Sequence, residues 1–239
     1  MNITEKLTDI GLDLVKSLLI TVVSALIAFF FTKKYYSKVK FATGLKEIGI
    51  QSFLTRYPKQ QELEYMFLHS DVIKIMFVSG VSFFKTYRTL IEKAVKLNKK
   101  VEILIATRET AFLAHIESLE VSFGGRDECK KISDEIDEVM NKLEYLLKDE
   151  NYCNNIEIRH FSDEYRLPMI LCQTYGENNT LQKSDCLLYI SLPPYSSRQA
   201  AILKLHSDSK QSTDKELDMI EMATAHFDKV WEQVNPKTD

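Results

Sequence analysis

The spacing of apolar and polar residues changes twice along this chain. Residues 17–32 read Ser-Leu-Leu-Ile-Thr-Val-Val-Ser-Ala-Leu-Ile-Ala-Phe-Phe-Phe-Thr without a charge, bounded by Lys16 and by Lys33-Lys34. As helix, at about 1.5 Å per residue, the run is roughly 24 Å long. Extension back through Ile10, Leu12, Leu14 and Val15 brings it near the ~30 Å of a bilayer's hydrocarbon core. The pattern predicts one transmembrane helix over residues 10–33. Acids Glu5, Asp9 and Asp13 precede the run and no small-x-small site follows, which argues against a cleavable signal peptide. Lys33, Lys34, Lys38 and Lys40 after the run outnumber Lys6 and Lys16 before it. The expected location is therefore a bacterial inner membrane, single-pass, with the C-terminal side in the cytoplasm. Ser17, Thr21, Ser24 and Ala28 recur at helical spacing, a small and polar stripe suited to helix association and homo-oligomers.

Past residue 58 the rhythm becomes that of a globular domain. Residues 59–70 predict an amphipathic helix on Leu63, Met66 and Phe67. The apolar run 72–79 predicts a strand ended by Ser79-Gly80, followed by a helix over 82–98 with Ser82 as N-cap and a second strand over 101–106. This is a βαβ unit with parallel, buried strands. Helices are expected over 108–122, 127–149 and 213–234, and strands over 155–161, 168–175, 185–192 and 199–206. The apolar seam of helix 127–149 either covers the sheet or pairs helices between subunits. The fold class is α/β: a mixed sheet of about six strands flanked by helices, Rossmann-like in layout, behind the N-terminal span. Three segments follow: 1–36 with the tail and span, a juxtamembrane linker over 37–58, and the α/β domain over 59–239.

Charge narrows the partners. The chain carries a net −3, and residues 1–40 hold six Lys against three acids, so the remainder is close to −6. With no basic face, direct nucleic-acid binding is not expected. Cys129, Cys153, Cys172 and Cys186 show no ligand spacing, so they are expected as free thiols with neither metal nor cofactor.

In an open α/β sheet, ligands sit beyond the carboxyl ends of the strands. Those ends offer Ser79, Gly80 and Ser82 after the first strand, Thr107 and Arg108 after the second, and His160 on the third. Glycine permits close approach of the backbone, the amides opening a helix favour an anion, and arginine adds charged hydrogen bonds. The set points to a phosphorylated small molecule or a nucleotide, although a Ser-Gly-x-Ser turn also ends strands that bind nothing. No Walker loop, H-E-x-x-H or G-x-S-x-G motif occurs.

The order of elements, with "IKIMFVSGVSFF", "LIEKAVKLNKKVEILIA", "IEIRHF" and "EYRLPMILCQTY", resembles a degenerate phospholipase D-like domain over about residues 59–234. Active members of that family carry His-x-Lys-x4-Asp, where this chain has Glu164, Arg166 and Leu171. The resemblance thus implies the fold, speaks against phosphodiesterase activity, and leaves Arg166 as a phosphate-holding residue. The layout is also similar to that of membrane effectors in bacterial antiphage defence. Together these imply a membrane-anchored, non-enzymatic sensor that binds a phosphorylated or nucleotide signal, oligomerises and disrupts the membrane. Two alternatives stand beside it: a membrane-tethered phosphodiesterase using His160, Arg166 and His206, and a scaffold binding a protein partner through helix 127–149.

Overall fold

The strand Val72–Phe77 (β2) buries Ile73, Ile75 and Phe77 on one side and Lys74 and Met76 on the other. Such a strand has to be covered on both faces. The computed structural model describes residues 50–54, 58–108, 110–122, 131–150, 152–162, 167–190, 201–208 and 219–234. All of them belong to the second of two units, Ile48–Asp239. Beside β2 stand β1 (Ile50–Leu54), β3 (Lys100–Ala106), β4 (Ile156–Phe161), β5 (Met169–Tyr175), β6 (Leu181–Ile190) and β7 (Ala201–Asp208). They form one seven-stranded mixed sheet in the order β1-β7-β6-β5-β2-β3-β4. β2, β3 and β4 run parallel, while β5, β6, β7 and β1 continue from β2 as antiparallel neighbours.

The helices are α1 (Gln60–Leu68), α2 (Val81–Lys96), α3 (Ala111–Ser122), α4 (Ile132–Lys148) and α5 (Met219–Gln233). α2 crosses between β2 and β3 and lays Phe83 and Phe84 against Phe77, with ring centroids 5.2 and 6.3 Å away. Burying each phenylalanine stabilises by about 1.5–3 kcal/mol relative to exposure. α1 lies on the same face, where Glu62 pairs with Lys204 of β7. α4 packs beside α2 and β4, burying Ile132, Ile136, Val139, Leu143 and Leu146. That seam is spent inside the domain, the covering role that was one of the two readings of its spacing. On the opposite face lies α5, whose Ile220, Ala223, Phe227 and Val230 recur at steps of three or four and are buried.

Two expectations change here. The sheet has seven strands rather than about six, because β1 falls in the segment read as a linker. Its five residues, Ile-Gln-Ser-Phe-Leu, carry little alternation of their own and are held by pairing with the distant strand β7. β6 also starts at Leu181, four residues before the expected start at 185, since its polar end still pairs with β5 and β7. The transmembrane helix expected over residues 10–33, with its face of Ser17, Thr21, Ser24 and Ala28, lies outside the described residues. Among the described residues no helix is long and apolar enough to cross a membrane.

Candidate functional site

The carboxyl ends of the parallel strands bring together most of the residues singled out from the sequence. The backbone joins them there: the Ala106 amide donates to the Val78 carbonyl and the Thr107 amide to the Phe161 carbonyl, at 3.1 and 2.7 Å. The groups expected to meet an anion are already engaged with carboxylates from α4. The Ser79 hydroxyl donates to Glu135 Oε2 at 2.6 Å, and Glu135 is 9% exposed. Arg108 pairs with Asp137 at 2.6 Å. With Arg108 neutralised by Asp137, the charge left facing this corner is that of Glu135, which opposes a phosphate.

Gly80 serves packing. It caps α2 with φ +65°, and a Cβ there would lie 2.9 Å from both Phe77 Cβ and Phe84 Cε2. The left-handed conformation and the crowding both call for glycine. Ser82 is exposed on the first turn of α2, where its carbonyl accepts from the Thr86 hydroxyl. His160 stands opposite Ile105 and so shares the helix-covered face of β3, half-buried. Arg166 lies outside the described residues.

Arg159, one residue before His160, points to the other face. Its guanidinium stacks 4.1 Å over Trp231, donates to the Trp231 and Val234 carbonyls at 2.6 and 3.3 Å, and pairs with Glu157 at 2.6 Å. It thereby binds the last carbonyls of α5 and pins that helix to the sheet.

Under the first turns of α5 the sheet is not filled. A cleft of about 500 Å³ opens there, with Ser184 and Ser207 on its floor and Ile220, Glu221, Thr224 and Asp228 on its roof. That volume lies within the usual range of small-molecule sites. The register explains the floor: Ser184 stands between Gln173 of β5 and Ser207 of β7, all on the α5 face. Gln173 is 1% exposed and accepts from the Tyr175 hydroxyl at 3.2 Å. Ser184 is 2% exposed, and its hydroxyl has no hydrogen-bond partner. An orphan buried hydroxyl costs about 1–3 kcal/mol. Lys74, 7% exposed, reaches up from β2 to Asp228 Oδ1 at 2.5 Å and lies 5.5 Å from the Phe227 ring centre.

The reverse face of the same strands holds a polar cluster. His206 faces Asp185 Oδ1 with Nδ1 at 2.7 Å and Asp208 Oδ2 with Nε2 at 3.2 Å, while Lys183 pairs with Asp185 at 3.0 Å. Both ring nitrogens donate together only in the protonated imidazole. His206 on β7 and His160 on β4 are separated by four strands in the sheet order. At about 4.8 Å per strand they stand roughly 24 Å apart, too far to share a reaction centre. The hydrolase alternative therefore does not find its two histidines together. Among the described residues no cluster of His, Cys, Asp and Glu fits a metal ion. Cys172 and Cys186 are buried thiols; burial and then the nearby Asp185 charge push both upward, Cys186 to about 12.

Nothing in the local sequence signals the cleft. Gln173, Ser184 and Ser207 sit among other polar residues of β5, β6 and β7, and only the register shows that they are neighbours on the α5 face.

No family model matches the chain, and no curated protein matches it. A solved structure that it resembles is that of TrmBL2, an archaeal chromatin protein showing a novel mode of DNA binding. Identity is 12% over 91% of this chain and 68% of that one, with a TM-score of 0.44. A likeness at that level assigns no activity to this chain. The resemblance to a phospholipase D-like domain and to membrane effectors finds no support, because no family model and no curated protein matches. The phospholipase D-like assignment and the antiviral role are withdrawn. The membrane as partner and the single-pass inner-membrane location are not carried further: among the described residues no helix is long and apolar enough to cross a bilayer, and residues 10–33 lie outside them. The phosphorylated or nucleotide ligand is dropped together with them, its expected corner being faced by Glu135 and Asp137. The exclusion of direct nucleic-acid binding is withdrawn too, since it rested on the net charge alone.

Proposed function

We propose that the α/β domain is a non-enzymatic module that binds a small molecule in the cleft beneath α5. The observation that carries this reading is the Ser184 hydroxyl: buried, without a partner, and carried by a residue that lines a cleft of about 500 Å³. A folded chain tolerates such a group where a ligand supplies the missing bond. Among the described residues that line the cleft Ser184 has no histidine beside it, and the nearest strand histidine, His206, faces the other side of the sheet between two aspartates. A hydroxyl without an adjacent base is a weak nucleophile. This keeps the sensing part of the sequence reading and moves it to the opposite end and face of the sheet.

The test is a ligand-observed NMR fragment screen of the full chain, repeated on Thr224→Leu, which fills the roof. Fragments that bind the wild type should compete with one another and lose their signal in the variant. Binding that survives Thr224→Leu, or conversion of a fragment to product, contradicts the proposal.

A further inference from the structure

The charges around the cleft say more than that something binds. We infer that its ligand is an organic ammonium ion carrying a short apolar segment, an inference that rests on reading the cleft as a ligand site. The roof presents two carboxylates, Glu221 and Asp228, within two turns of one helix. One oxygen of Asp228 is held by Lys74, so that pair is neutral, and Glu221 leaves the cleft with an unbalanced negative charge. Among the described lining residues the cation is Lys183, and its ammonium is turned to the reverse face, where it meets Asp185 at 3.0 Å and lies over Tyr65.

Among the described residues, an anion entering the cleft would thus find carboxylates and no free positive group. An ammonium would find the Glu221 carboxylate and, near it, hydroxyls able to accept its N–H bonds. Ser184 supplies the buried acceptor and Thr224 a second on the roof. Such charge-assisted bonds are about twice as strong as neutral ones. Leu181 and Ile220 bracket these polar groups, and they give a carbon chain its contact surface.

A matched series tests the charge separately from the cleft: hexylammonium, hexanol and hexanoate, titrated into the full chain at pH 7 by NMR. Hexylammonium should bind, hexanol more weakly, and hexanoate not at all. Glu221→Gln, at an exposed position where the fold is not at stake, should weaken hexylammonium at least tenfold and leave hexanol unchanged. Hexanoate binding as tightly as hexylammonium, or hexylammonium indifferent to Glu221→Gln, with both lost in Thr224→Leu, overturns the ammonium assignment and leaves the cleft standing. If none of the three binds, or binding persists in Thr224→Leu, the ammonium assignment and the cleft reading fail together.

Discussion

The two ends of this sheet treat polar groups in opposite ways. At the carboxyl ends of β2 and β3, Ser79 and Arg108 are matched by Glu135 and Asp137 of α4. At the other end, beneath α5, Ser184 is buried with nothing to bond to, and an open volume lies above it. The first arrangement looks like a binding corner in sequence and is satisfied from within. The second is silent in sequence and is left incomplete. A ligand site is marked by what the fold leaves unpaired, and that depends on elements far apart in the chain.

Substitutions should separate the two ends, beginning with the largest effect. Gly80→Ala should cost about 3 kcal/mol in denaturant unfolding, combining a left-handed backbone with contact on Phe77 and Phe84. A loss below about 1 kcal/mol would show slack at the carboxyl end and weaken its reading as a closed structural turn. Arg159→Ala should cost about 2 kcal/mol, because it releases the last carbonyls of α5 and the stack on Trp231. It should also loosen the cleft's roof, seen as faster amide exchange in α5 with α2 unchanged.

Alkaline unfolding probes the strands that carry the cleft floor. Cys172 and Cys186 have their proton affinity raised in the folded chain, so their contribution is complete below pH 9 and is lost as pH rises above it. Each thiol should add about 1.4 kcal/mol of lost stability per pH unit, because the unfolded chain releases a proton that the native chain keeps. The double variant Cys172→Ala, Cys186→Ala should remove that slope, whatever its stability at pH 7. The smallest effect is a gain. Ser184→Ala should raise stability by up to about 1 kcal/mol, since it deletes an unpaired buried hydroxyl. Loss of stability instead would mean that the hydroxyl is satisfied in solution.

The βαβ unit was legible because its signals are local. An apolar run, a glycine and a helix of regular apolar spacing occupy residues 72–106, and the structure places β2, α2 and β3 there. The internal use of the α4 seam was likewise one of the two readings that its spacing allowed. What the sequence hid is long-range. Glu135 reaches Ser79 across 56 residues, and Lys74 meets Asp228 across 154. β1 exists through its ladder with β7, and no pattern in five residues announces that. Ser184 looks like an ordinary strand hydroxyl until the register sets it beside Gln173 and Ser207 and the α5 stripe leaves it uncovered.

The most direct test of which end binds is an amide chemical-shift map of the full, ¹⁵N-labelled chain titrated with hexylammonium. The account predicts saturable shifts concentrated at Ser184, Ser207, Glu221 and Thr224, with Ser79, Thr107 and Arg108 unmoved. Shifts concentrated at Ser79, Thr107 and Arg108, with the residues beneath α5 silent, would contradict it.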